Sequence, residues 1–124
     1  MKVGIDIVRI DRMEKLLSRR NENSLLRIWT KKELDESRDK NGGYKADTLA
    51  AMFSCKESVA KALGTGFAQG VGPSDIEVSH RTSGEPYVTL HGEAKAYMES
   101  LGYKNLSVSL THSDENAAAV CVMF

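Results

Sequence analysis

The fold is decided by residues 45–66, which read KADTLAAMFSCKESVAKALGTG. Residues 45–63 contain neither glycine nor proline and are rich in Ala, Leu, Met, Lys and Glu, which are favourable in helices. Gly64 follows, and glycine readily adopts the left-handed conformation that ends many helices. The pattern therefore predicts one long helix over residues 45–63, the longest of the chain, ended by Gly64.

One face of this helix carries three chemically different side chains. Phe53, Glu57 and Lys61 are four residues apart, so they lie one above another. A Glu followed by a Lys at this spacing is also a common surface pair worth about 0.3–0.5 kcal/mol, and that interpretation stays open. The alternative is a site, because the helix runs into Gly64-Thr65-Gly66, whose amides could meet a phosphate. The helix dipole opposes an anion there, so Lys61 or a metal ion would have to supply positive charge.

Shorter elements surround this helix. Residues 3–7 predict a strand with Asp6 near its end, and residues 8–20 predict an amphipathic helix. Thr30 and Glu33 fit a capping box that starts a short helix through about Arg38. Residues 75–80 and 86–91 predict a hairpin, 92–101 a helix, and 106–111 and 117–124 two more strands. We expect a single α+β domain over 1–124, with one long central helix and shorter helices packed on a mostly antiparallel sheet.

Composition excludes several classes of protein. The 17 basic and 17 acidic residues cancel, and no nucleic-acid-binding motif is present. Cys55 and Cys121 have no CxxC partner, which favours two buried thiols over a metal or disulfide framework. No apolar run approaches the ~18 residues of a membrane span, and the charged start does not match a signal peptide. We expect a cytoplasmic protein that binds neither nucleic acid nor membrane.

Two other places hold candidate functional residues, and each has an ordinary structural interpretation. Asp6 could belong to a site, or it could cap the helix that follows its strand. His112 and Ser113 end a polar strand that begins at Ser107, and a lone histidine there is more often structural than catalytic. Taken separately, these features identify no reaction.

Taken together and in this order, the motifs resemble the small 4'-phosphopantetheinyl transferases of the holo-[acyl-carrier-protein] synthase type. The resemblance spans nearly the whole chain, and its most specific part is the central helix with its glycine turn. The matching residues are Gly4-Ile5-Asp6-Ile7, Ile10, Arg12, Trp29-Thr30-Lys31-Lys32-Glu33-Leu34, Phe53, Lys56, Glu57, Lys61, Ala62, Gly64-Thr65-Gly66, Asp75-Ile76-Glu77, Gly84-Glu85-Pro86 and Ser109-Leu110-Thr111-His112.

Four positions depart from the family pattern, and two of these remove positive charge. The departures are Met52, Leu63, Pro73 and Glu85. Met52 and Glu85 stand where the family often has basic residues. Candidate substitutes for binding phosphate are Lys45, Lys56 and Arg81.

The resemblance implies an enzyme that transfers 4'-phosphopantetheine from coenzyme A to a serine of apo acyl carrier protein, in fatty acid biosynthesis. It implies Mg²⁺, or Mn²⁺, held by Asp6 and Glu57, with Glu57, Lys61 and Asp6 as catalytic residues. Whether Glu57, Asp6 or a water is the base stays open. The residues implied to bind coenzyme A are Lys45, Phe53, Lys56, Lys61, Gly64, Thr65, Gly66, Pro86, His112 and Ser113.

The resemblance also implies partners. Its carrier-binding surface would be the basic side of the first helix, for which a solvated helix face is the alternative. The residues of this surface are Arg9, Arg12, Lys15, Arg19 and Arg20. The family works as a homotrimer with sites between subunits, so we expect different faces of the interface to present Asp6 and Glu57.

Two other functions stay open. The first is a binding module without catalysis, in which Glu57 and Lys61 form an ordinary ion pair. The second is a coenzyme A or nucleotide enzyme of another reaction class, which the absence of a Walker loop or GxGxxG disfavours.

Overall fold

A long helix, α4 (Ala46–Leu63), runs through the computed structural model, which describes all 124 residues. Its end is set by Gly64, whose φ of 85° lies in the left-handed region. The Gly64 amide donates to the carbonyls of Ala60 and Lys61, which would otherwise lack partners at the helix end. The predicted central helix and its glycine cap are confirmed.

Two antiparallel sheets pack around α4. The first contains β1 (Lys2–Arg9), β5 (Asn116–Met123) and β4 (Leu106–His112) in the order β1-β5-β4. The second is the predicted hairpin of β2 (Ile76–His80) and β3 (Pro86–Leu90). The α+β class is confirmed, but the strands form two separate ladders where we expected one sheet. Helix α5 (Gly92–Ser100) connects the hairpin to β4.

The remaining helices precede α4. They are α1 (Ile10–Arg19), α2 (Glu22–Leu25) and α3 (Lys31–Glu36). Helix α2 lies between the first two predicted helices, where no element was expected, and the Asn21 side chain caps it by accepting a hydrogen bond from the Ser24 amide at 2.9 Å. The predicted capping box of Thr30 and Glu33 begins α3. None of the helices combines the length and apolar character needed to cross a lipid bilayer.

The apolar core follows α4 along its length. The first half of the helix packs with Trp29 and Leu34, and the second half packs with Met98 of α5. Cys55 and Cys121 are both buried in this core, and burial raises the pKa of each thiol to about 12. The expectation of two buried, unbridged thiols is confirmed. A helix held on several sides has a fixed orientation, which determines where its few uncovered side chains lie.

Candidate active site

Beyond the first turn of α4, only three side chains are not fully buried. From Leu49 to the end of the helix, every residue is buried except Phe53, Glu57 and Lys61. They are four residues apart, so they form one narrow stripe along the helix. The prediction that these three residues share a face is confirmed.

Strand β1 lies against this stripe and brings Asp6 to it. The Lys61 ammonium donates to Asp6 Oδ1 at 3.1 Å and to the Ile5 carbonyl at 3.0 Å. The Ser54 hydroxyl donates to the Asp6 carbonyl at 3.0 Å. Lys61 therefore pairs with Asp6, and the surface pair with Glu57 that the spacing allowed does not form. Asp6 is no helix cap either, because its strand continues to Arg9.

The close contact between β1 and α4 requires a glycine. A Cβ atom at Gly4 would lie 1.8 Å from the Ser58 carbonyl oxygen and 2.8 Å from the Ala62 amide nitrogen, both in the backbone of α4. Only a residue without a side chain fits there. Because Asp6 is two residues further along the same strand, this contact sets the distance from its carboxylate to the helix.

The carboxylates of Asp6 and Glu57 are close enough to affect each other. Burial and then the negative charge of Asp6 raise the pKa of Glu57, while Lys61 opposes the rise. Asp6 is 13% exposed, and its Oδ2 atom is buried without a hydrogen-bond partner. An unpaired buried oxygen beside a second carboxylate fits a hard cation such as Mg²⁺, because hard cations prefer oxygen ligands. No third His, Cys, Asp or Glu joins them, and Mg²⁺ needs only one or two carboxylates because it keeps several waters.

The two acids share a groove of about 370 Å³ in a single chain. Its lining is Asp6, Ile7, Val8, Arg9, Arg12, Met13, Leu16, Phe53 and Glu57. The expectation that different faces of a subunit interface present Asp6 and Glu57 is therefore wrong. They meet because β1 and α4 of one chain are in contact. Phe53 forms one wall, and its ring lies 6.2 Å from that of Trp29 and 6.3 Å from that of Phe67.

The glycine turn after α4 is less free to bind a phosphate than its sequence indicates. The amides of Gly64 and Gly66 both donate to the Ala60 carbonyl, at 3.1 Å and 3.2 Å. The Thr65 hydroxyl donates to the Gly66 carbonyl at 2.7 Å. The Thr65 amide is the one amide of this turn without a protein acceptor. Any contact between the turn and a phosphate is thus restricted to that position.

Lys56 corrects the sequence-based expectation. Its side chain is 0% exposed, and its ammonium donates to Glu33 Oε1 at 2.8 Å. It also donates to the carbonyls of Pro73 and Ile76. All three donors are therefore used inside the protein, so Lys56 is unable to contact coenzyme A, and the expectation that it binds this substrate is wrong.

Four other predicted coenzyme A residues are absent from the lining of the groove of Asp6 and Glu57. They are Lys45, Pro86, His112 and Ser113. His112 lines a different groove, beside the first turns of α4 and His80. The Ser113 hydroxyl accepts hydrogen bonds from the amides of Glu115 and Asn116, so it stabilises the turn between β4 and β5.

The basic side of α1 is exposed and adjoins the acid pair. Arg12 lines the groove of Asp6 and Glu57 and also a neighbouring groove on α1. That second groove contains Lys15, Arg19 and Arg20 as well. Arg9 is exposed and forms an ion pair with Asp11. The basic residues therefore form a continuous surface that leads to the carboxylates.

Sequence reasoning missed two contributors to this region. Glu33 was recognised only as a capping residue, yet it is also the buried partner of Lys56. Phe67 lies outside every predicted element and was not a candidate residue, yet its ring packs against Phe53. A buried acid leaves no local signal, whereas an aromatic residue in a glycine-rich loop could have been noticed.

Comparisons with known proteins agree on one family. The sequence-family model described as the 4'-phosphopantetheinyl transferase superfamily matches residues 2–121. Holo-[acyl-carrier-protein] synthase of Nitratidesulfovibrio vulgaris (strain DP4) is 43% identical over 121 residues, which cover 98% of this chain and 95% of the relative.

Two solved structures extend the similarity to the fold. Helicobacter pylori holo-[acyl-carrier-protein] synthase in complex with coenzyme A has a TM-score of 0.84 at 32% identity, covering 98% of this chain and 99% of that one. The Bacillus anthracis holo-(acyl-carrier-protein) synthase in complex with CoA (3',5'-ADP) has a TM-score of 0.76 at 29% identity, covering 98% of this chain and 94% of that one. The match over almost the whole length, in sequence and in fold, assigns this chain to the holo-[acyl-carrier-protein] synthase family of the 4'-phosphopantetheinyl transferase superfamily.

Proposed function

We propose that the chain transfers 4'-phosphopantetheine from coenzyme A to a serine of apo acyl carrier protein. The products are holo carrier protein and adenosine 3',5'-bisphosphate. The observation that carries the proposal is the convergence of Asp6, Glu57 and Lys61 beside a basic surface. Relatives over the whole length carry the name of this activity, and two of the similar structures contain coenzyme A or its nucleotide part. Fatty acid biosynthesis in the cytoplasm, expected from the resemblance, belongs to the same proposal.

The cation of the reaction would be Mg²⁺, with Mn²⁺ as a substitute, held by Asp6 and Glu57. The unpaired Oδ2 of Asp6 and the raised pKa of Glu57 support this assignment. A divalent ion between the carboxylates would relieve the repulsion between them. When bound, it supplies the positive charge that a diphosphate needs for phosphoryl transfer.

The side chains of the stripe on α4 would divide the remaining work. The serine oxygen of the carrier forms a bond to the β-phosphorus of coenzyme A, and the bond from that phosphorus to the bridging oxygen breaks. Adenosine 3',5'-bisphosphate leaves with that oxygen. Glu57, which lines the groove beside Asp6, would accept the serine proton directly or through a water. Lys61 is half exposed, so its ammonium can turn from Asp6 towards the leaving phosphate.

Coenzyme A would be bound by residues of more than one subunit of a homotrimer. Within a single chain, Lys45, Pro86 and His112 do not line the groove of the acid pair, and His112 lines a different groove, which supports this arrangement. Phe53 and the turn of residues 64–66 would contribute from the subunit that carries the acids.

An uncovered apolar sheet face supports the trimer. Val3, Ile5 and Ile7 of β1 are 60%, 68% and 67% exposed, and their partners across the ladder are Val122, Val120 and Ala118. Contiguous apolar surface of this kind usually marks a protein interface. The same face belongs to an edge strand, which is a second surface that proteins tend to cover.

The carrier protein would bind to the basic surface of α1. Arg9, Arg12, Lys15, Arg19 and Arg20 are all exposed. Positive charge on this side would attract a carrier protein that has an acidic surface beside its acceptor serine. The apolar side chains Met13 and Leu16 line the groove between this surface and Glu57, so the serine would reach the acids along them.

The experiment that tests the function is a transfer assay read by mass. The protein is incubated with apo carrier protein, coenzyme A and Mg²⁺, and the carrier is weighed by mass spectrometry. We expect the carrier to gain the mass of phosphopantetheine, and we expect EDTA to abolish the gain. Asp6→Ala and Glu57→Ala should abolish it with the fold intact, whereas the control Glu36→Ala, at an exposed acid on α3, should not. An unmodified carrier with the wild-type protein would reject the function, and active acid variants would reject the metal assignment.

A further inference from the structure

A buried ion pair lies one residue away from the proposed catalytic stripe. Lys56 of α4 and Glu33 of α3 are both 0% exposed, and their charged atoms are 2.8 Å apart. Removing two charges from water has a large free-energy cost, and apolar residues of similar size often stabilise a fold equally well. A buried pair is therefore weak evidence for stability and calls for another explanation.

The pair satisfies an unusual number of backbone groups. Lys56 donates to the carbonyls of Pro73 at 2.9 Å and of Ile76 at 2.6 Å. Glu33 accepts from the amides of Thr30 and of Val78, each at 2.8 Å. Two backbone carbonyls before and at the start of β2 are thus bonded to α4 directly, and the amides of Thr30 and Val78 are linked to it through Glu33.

This attachment restricts rotation of α4 about its axis. Successive residues of a helix are about 100° apart, so Lys56 points into the core while Glu57 points to the groove. On the groove side, α4 is tied to β1 by hydrogen bonds of Ser54 and Lys61. These bonds reach only an edge strand of a three-stranded sheet. The bonds of Lys56 reach α3 and the start of the hairpin, which lie on the other side of the helix.

We propose that Lys56 and Glu33 are positioning residues, which hold α4 in the rotation that points Glu57 at Asp6. The proposal rests on the proposed function, because the orientation of Glu57 matters only if the two acids bind a cation. The pair itself touches neither substrate nor metal. Its loss should weaken divalent-ion binding more than it weakens binding of the carrier protein, whose proposed surface is on α1.

The test measures Mn²⁺ affinity by electron paramagnetic resonance, in the absence of substrates. For Lys56→Met and Glu33→Gln, we expect Mn²⁺ binding to weaken about tenfold, at the lower end of what indirect support of a metal site contributes. The apparent Mg²⁺ requirement of transfer should rise by the same factor, while KM for the carrier stays within about twofold. The control is Met98→Ala, which removes a buried side chain from α5 and should leave Mn²⁺ binding unchanged.

Each outcome supports or overturns the proposal. If the control weakens Mn²⁺ binding as much as Lys56→Met does, the pair acts through stability alone and the proposal is wrong. If Lys56→Met does not fold, Glu33→Gln decides, because it keeps an oxygen that can accept one of the hydrogen bonds. Unchanged Mn²⁺ affinity in Glu33→Gln overturns the positioning role while the proposed function stands. A wild-type protein that neither binds Mn²⁺ nor modifies the carrier overturns both.

Discussion

Replacing Gly4 by alanine should separate the effects of fold and of catalytic geometry. The new Cβ would lie 1.8 Å from the Ser58 carbonyl oxygen, whereas ordinary contacts begin at 3.4 Å, so the shortfall is 1.6 Å. The obstructing atoms belong to the backbone of α4, which is packed on several sides, so the edge strand β1 has to move. Crowding of this size in a packed interior typically costs about 1–3 kcal/mol of unfolding free energy.

The same movement would carry Asp6 away from the helix. Its hydrogen bonds to Lys61 and Ser54 are 3.1 Å and 3.0 Å long, so a shift of more than 1 Å breaks both. A misplacement of about 1 Å in a catalytic group can cost on the order of 100-fold in rate. We therefore expect Gly4→Ala to lower kcat/KM for transfer about 100-fold in protein that remains folded.

The assay measures the initial rate of carrier modification and the urea unfolding curve of each variant and of the wild type. The matched control is Gly72→Ala, since Gly72 has an ordinary φ of −108° and its added Cβ would come no closer than 3.9 Å to Asp75. The control should keep its rate within about twofold, which is typical of a substitution with no named disturbance. If Gly4→Ala retains wild-type turnover, the contact between β1 and α4 does not set the catalytic geometry and the reasoning is refuted.

Three further predictions concern charge, docking and assembly. Because the folded pKa of Glu57 lies above its unfolded value, ionising this group costs folding free energy. Relative to Glu57→Gln, the metal-free wild-type protein should therefore lose stability as the pH rises through that pKa, measured by urea unfolding with EDTA. Parallel pH profiles of the two proteins would contradict the assignment. The double variant Arg12→Ala/Lys15→Ala should lower kcat/KM for the carrier at low salt, and the decrease should be much smaller at high salt. The control Arg27→Ala should have little effect on kcat/KM. A decrease that does not depend on salt would argue against docking on α1. Ile5→Glu should dissociate the proposed trimer in analytical ultracentrifugation and abolish transfer, and an intact trimer would remove the outer sheet face from the interface.

The parts of the fold that could be predicted are those written in local sequence. Helix α4 follows from a long stretch without glycine or proline, and Gly64 ends it by its own conformational freedom. Thr30 and Glu33 are three residues apart and form their capping box without help from the rest of the chain. The stripe of Phe53, Glu57 and Lys61 needs only the helical period.

The parts that could not be predicted depend on which elements meet in space. Lys56 and Glu57 are adjacent charged residues in the sequence. Nothing local shows that the side chain of Lys56 enters the core while that of Glu57 faces the groove. The burial of Lys56 depends on Glu33 and on carbonyls of Pro73 and Ile76, at 17 and 20 residues' distance. Likewise Asp6 lies in the middle of β1, and its neighbours on α4 are set by the contact at Gly4.

Lys56 and Glu57, on one turn of α4, therefore have opposite environments. The ammonium of Lys56 is fully buried with every donor paired, while Asp6 Oδ2 is buried without a partner and Glu57 has a raised pKa. The unpaired oxygen of Asp6 lies on the strand that the Gly4 contact holds against α4, and Glu57 lies on the turn that carries the buried Lys56. Rigid support around an unfavourable pair of like charges is what a site for a divalent cation requires, because the acids are then unable to relax apart before the ion arrives.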